Sequence, residues 1–132
     1  KAYTLTEGSD ITIIACGIMV NEALQAQAAL SLKGIKARLI NMHTIKPLDE
    51  EAVIKAASQT KGIVVCEEHS VIGGLASAVD EVVAEKRPTY VMRVGVRHRF
   101  GQSGEPAELM QEYGLTTREI VAAALKILKD AK

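Results

Sequence analysis

Val64-Val-Cys-Glu-Glu-His-Ser-Val-Ile-Gly-Gly-Leu-Ala-Ser-Ala-Val79 is the stretch around which the chain is organised. The β-branched run Ile63-Val64-Val65-Cys66 reads as a strand buried on both faces. Glu67, Glu68 and His69 follow as a charged turn. Gly73 and Gly74 then lead into a run of small and apolar residues at helical spacing. Strand, polar turn and glycine-led helix start form one βα unit. In open α/β sheets, ligands and partners gather at such turns, beyond the carboxyl ends of the strands. Adjacent glycines also allow close approach, because neither carries a Cβ. Glu67–His69 is therefore a candidate polar site, with a merely solvated turn as the plain alternative.

Toward the amino end, Ala2–Thr6 alternates like an edge strand. Ile11–Cys16 is the most apolar strand, and Gly17 releases it into a helix from Val20 to Leu32. Asn21 is the expected cap of that helix and Gly34 its C′ residue. Lys36–Asn41 reads as the next strand. Pro47 bars a helix before it, and Asp49 then caps one that runs to Gln59, with Val53, Ile54 and Ala57 inward.

Toward the carboxyl end, the Gly74–Glu85 helix breaks at Arg87-Pro88, and Thr89–Val94 is the last strand. Arg93 in its middle suggests a sheet edge or a solvent-facing side. Residues 95–104 form the longest polar loop. Pro106 opens a helix that Gly114 should stop near Tyr113. Thr116 and Glu119 read as the capping box of a separate final helix, with Ile120, Val121, Ala124, Leu125 and Leu128 on its docking face. Strand–helix alternation predicts a three-layer α/β domain with a mostly parallel sheet.

Composition excludes several classes. The 132 residues suit a single domain spanning 1–132, and hydrophobic residues at 48% suffice for a core. Sixteen basic residues balance sixteen acidic ones, so there is no footprint for nucleic acid or an anionic membrane. The longest apolar run, Ile11–Val20, falls short of the roughly 20 residues that span a bilayer. Lys1-Ala-Tyr-Thr opens no signal peptide. It already reads as strand without an initiating Met, so we expect a domain of a longer protein, and two cysteines read as reduced, buried thiols suit a cytoplasmic one.

Cys16 and Cys66 fit no disulfide or metal framework. Cys66 and His69 would need Cys16, His43 or His98 as further metal ligands, and no spacing supports that set. A Cys66 nucleophile also fails, because the thiol sits in a buried strand and precedes two acids. There is no G-x-G-x-x-G fingerprint and no P-loop Gly-Lys pair. The helix start at Gly73-Gly74 could still hold a small anion through its N–H groups. His43, His69 and His98 each follow a strand, which suggests a functional face at that end of the sheet.

Four ordered motifs carry a resemblance. They are Asp10–Ala15 with Gly17; Thr44-Ile-Lys-Pro-Leu-Asp49; Glu67-Glu-His69 with Gly73–Val79; and Gly95-Val, Phe100 and Ser103-Gly104 with Tyr113-Gly-Leu-Thr116. As a set they resemble the C-terminal domain of transketolase, in particular the C-terminal subunit of split transketolases. Deoxyxylulose-phosphate synthase and the 2-oxo-acid dehydrogenase beta subunit share the architecture. One departure is His98 within Arg97-His-Arg99, where the family usually has an acidic residue.

The resemblance implies a five-stranded sheet of order 1-3-2-4-5, with the first strand antiparallel. It would place the strands of Cys16 and Cys66 side by side, within disulfide range although both thiols are expected to stay reduced. It implies a complete enzyme using thiamine diphosphate and magnesium, neither bound by this chain, and no catalytic residue here. It also implies packing against the cofactor-binding domains and a homodimer. Glu68, His69, Gly73 and Gly74 become candidates for ligand-facing or partner-facing roles. The rival reading is a free-standing module that binds a small anion or effector in the crevice where the strand order reverses.

Overall fold

A computed structural model describes residues 2–16, 19–43, 47–68, 74–96 and 106–131. The elements are β1 (Tyr3–Thr6), β2 (Ile11–Ala15), α1 (Val20–Leu32), β3 (Ala37–Asn41), α2 (Glu50–Gln59), β4 (Ile63–Glu68), α3 (Gly74–Lys86), β5 (Val91–Val96) and α4 (Pro106–Asp130). The sheet has the order β1-β3-β2-β4-β5, with β1 antiparallel to β3 and every other pairing parallel. This is the expected architecture.

Strand alternation splits the core in two. Ile11, Ile13, Ala15, Leu39, Val64 and Cys66 face α1 and α4. Ile14, Ile40, Ile63 and Val65 face α2 and α3. Both faces of the inner strands are therefore buried, which explains their unbroken apolar runs. The edges differ. In β1 the residues Tyr3, Thr4 and Leu5 are exposed. In β5 the exposed Arg93 pairs with Asp80 of α3 at 2.7 Å.

The turn between β1 and β2 lies close against β3: a Cβ at Gly8 would land on the backbone of Lys36, Ala37 and Arg38. Helix α1 ends as expected. Gly34 has a φ of 78°, and the Gly34 and Ile35 amides donate to the Ser31 and Leu30 carbonyls at 3.0 Å each. That is a Schellman closure.

Three local expectations give way to packing. Asn21 does not cap α1; the cap position is Met19, with no side-chain bond. The last strand is Val91–Val96, so Gly95 and Val96 belong to the sheet and Thr89 and Tyr90 precede it. The two expected C-terminal helices are one helix of 25 residues, with Gly114 inside it and no capping box at Thr116. A helix-interior glycine costs only about 1 kcal/mol relative to Ala. Burial of Ile120, Ala123, Ala124 and Ile127 against the first core outweighs it. The docking stripe is correspondingly rotated, leaving Leu125 36% exposed.

Candidate functional site

The strand order reverses between β2 and β4. From β2 the chain crosses through α1 to β3 on one side, and from β3 it crosses through α2 to β4 on the other. The carboxyl ends of β2 and β4 and the first turns of α1 and α3 thus meet where an open α/β sheet has its crevice.

Strand β4 runs two residues further than the sequence suggests. Glu67 and Glu68 pair with Gly95 and Val96 of β5, so they are strand residues rather than turn. Alternation puts Glu67 on the same face as Val65, toward α3. Glu67 is only 2% exposed. Its Oε2 accepts from the amides of Leu75 at 2.9 Å and Ala76 at 3.1 Å. These N–H groups lie in the first turn of α3 and have no partner within the helix. The helix begins at Gly74, which has no side chain to cap it, and Glu67 supplies the missing acceptor from the neighbouring strand. The positive end of the helix dipole favours that charge.

Two amides at the start of α3, those of Leu75 and Ala76, are thus already held by the chain's own carboxylate. Of the four candidate residues, Glu68 closes β4 and Gly74 opens α3, so both stand at the carboxyl end of the sheet. His69 and Gly73 lie outside the described residues, as do His98 and Thr44–Lys46. His43 is exposed just past β3 and stacks on Tyr3 of β1, with ring centroids 5.3 Å apart and planes 20° apart.

The cysteines are adjacent in strand order but not in space as a bondable pair. Cys66 pairs with Ala15 and points into the first core, whereas Cys16 packs against the second. The sheet separates the two thiols, so the expected disulfide range is wrong, and no disulfide joins them. Burial pushes the Cys66 thiol far above its ordinary range, and the charges of Glu22 and Glu67 push it further. It stays protonated and is no nucleophile.

The sequence reading missed two buried acids here. From the sequence Glu67 is part of a polar turn and candidate site, with no sign that it is buried, and Glu22 is not singled out. Glu22 lies in the first turn of α1 and is 3% exposed. The signal was present: Glu22, Ala26 and Leu30 stand four residues apart on one helical stripe, and all three are buried. Oε2 of Glu22 has no hydrogen-bond partner, and neither has the buried Oδ1 of Asn41 at the end of β3.

The amides of Leu75 and Ala76 are taken up by Glu67, and no described residues form a group of three or more His, Cys, Asp or Glu able to hold a metal. Among the described residues, no helix is long and apolar enough to cross a membrane.

Comparison with known proteins agrees with this architecture. Residues 1–120 match the family model described as transketolase, C-terminal domain. The chain is 50% identical over 127 residues to the 6-deoxy-6-sulfo-D-fructose transketolase subunit SqwH of Clostridium sp. (strain MSTE9), covering 96% of this chain and 39% of that protein. It is 41% identical to a putative transketolase C-terminal section of Methanocaldococcus jannaschii, covering 98% and 40%. It is also 39% identical to 1-deoxy-D-xylulose-5-phosphate synthase of Heliobacterium modesticaldum, covering 96% and 20%. A solved split-gene transketolase, described as an inactive beta4 tetramer, superposes with a TM-score of 0.84 at 47% identity, covering 98% of this chain and 42% of that one. The chain thus spans at most about two fifths of these relatives.

Proposed function

Because the chain belongs to the transketolase C-terminal domain family, we propose that it is the non-catalytic assembly domain of a thiamine-diphosphate-dependent enzyme that moves two-carbon ketol units between sugar phosphates. The observation that carries this reading is Glu67, which fills the α3 start in the crevice with a carboxylate of the chain itself. The same observation speaks against a free-standing anion-binding module. Subunit and section descriptions among the relatives support a partner that carries the cofactor site.

In this reading Glu68, His69, Gly73 and Gly74 face that partner rather than a substrate. The complete enzyme is a cytoplasmic homodimer of such pairs. The chain has only two asparagines, Asn21 and Asn41, which are not adjacent, and its nearest approach to an acidic Gly-x-Asp segment is Gly8-Ser9-Asp10. Magnesium needs oxygen ligands in a near-octahedral array, so neither feature makes its site. Calorimetric titration of the chain with thiamine diphosphate and magnesium is expected to give only heat of dilution. Saturable binding at micromolar cofactor would assign the domain a different role.

A further inference from the structure

Two buried oxygen acceptors at the carboxyl end of the sheet lack a donor, Oε2 of Glu22 and Oδ1 of Asn41. Asn41 stands directly beside Ala15 in the β2–β3 register, and Ala15 beside Cys66 in the β2–β4 register. Laterally paired residues of a sheet point to the same face. Asn41, Ala15 and Cys66 therefore form one row on the face covered by α1, with the small Ala15 in the middle. Glu22 belongs to the first turn of α1 on that face. Arg38, by contrast, lies on the opposite face and donates to Gln59 of α2, so its charge does not serve this row.

Burying a carboxylate oxygen without a donor is strongly unfavourable unless its charge is met. The start of α1 offers the positive end of its dipole, which meets only part of a full charge. A carboxylate and a carboxamide oxygen are hard ligands, suited to hard cations and ammonium protons. One carboxylate balances one positive charge, and a divalent ion would leave a buried excess.

We propose that Glu22 and Asn41 together bind a compact monovalent cation at the carboxyl ends of β2 and β3. That cation is either an alkali ion from solution or an ammonium group brought by the partner subunit, and only the second source rests on the assembly reading above. The test uses the full protein that carries this domain. Thermal melts are run at constant ionic strength in tetramethylammonium chloride, with potassium, sodium or ammonium exchanged in.

For a solution ion, the wild type gains several degrees in Tm, saturably, on going from about 1 to 100 mM of the preferred cation, as expected for a ligand bound only by the native state. Glu22→Gln replaces the charge with a neutral amide. It is expected to melt no lower than wild type without the cation and to gain nothing from it. Asn41→Ala keeps the charge and is expected to raise the half-saturating concentration about tenfold, a readout that survives if Glu22→Gln folds poorly. For a partner ammonium, no cation dependence appears, but Glu22→Gln weakens subunit association at least tenfold. If the melts are indifferent to the cation and association is unchanged in Glu22→Gln, the proposal is overturned.

Discussion

Helices α2 and α3 begin in opposite ways. Helix α2 is capped by the residue immediately before it: Asp49 Oδ1 accepts from the Ala52 amide at 3.1 Å, while Oδ2 accepts from the Ala2 amide at 3.0 Å. Helix α3 is capped by Glu67, seven residues before Gly74 and in a different element. The first cap stabilises its own helix and ties down the entry to β1. The second joins a strand to a helix across a turn, so it fixes how two elements meet. A local cap shapes an element, whereas a remote one shapes a site.

The largest expected effect breaks the remote cap. Glu67→Ala leaves two buried amides without an acceptor and opens space at the end of β4, which we expect to destabilise the protein by about 3 kcal/mol. Glu67→Gln keeps a carbonyl acceptor and removes the charge, so it should cost about half as much. Urea unfolding of both variants checks the order. Equal losses would mean that the filled volume matters and the hydrogen bonds do not.

The next effect is alkaline. The native Cys66 thiol is raised above its unfolded value, so its contribution to stability is complete below the unfolded pKa and is lost as pH rises past it. Above about pH 8.5 the stability should fall by up to ~1.4 kcal/mol per pH unit from this residue. Cys66→Ala should remove that slope in melts taken from pH 7 to 10.

The smallest effect belongs to the local cap. Asp49→Ala should cost about 1 kcal/mol, the usual loss for an N-cap. Its opening should also be confined to α2 and β1, as read by hydrogen exchange of the Ala52 and Ala2 regions. Global loss of protection would erase the distinction between the two caps.

The same contrast explains what could be read from the sequence. Asp49 and Gly34 announce themselves, because each acts within a few residues of its own position. The apolar runs of β2 and β4 were legible for the same reason. Strand order came only through the resemblance, since no local signal orders strands. Gly114 and Thr116 gave a clear local message that the packing of Ile120, Ala124 and Ile127 overrode. Glu67 looked like turn because its partners, Leu75 and Ala76, become neighbours only after the sheet forms. The sequence places its candidate residues at the carboxyl end of the sheet, but the burial of Glu22 and Glu67 there depends on packing between elements.

The two margins of the sheet have a consequence for colloidal behaviour. Strand β1 has only four residues, and its register against β3 shifts between Thr4 and Thr6. Such a shift twists the row of unpaired backbone groups away from a flat template. On the far margin, the exposed Arg93 places a paired charge in the middle of β5. An approaching strand from another molecule therefore meets a short, misaligned ladder on one side and a cation on the other. Strand-to-strand stacking into fibres is discouraged at both ends, even though more than half of this sheet's residues are of the kind that such fibres favour.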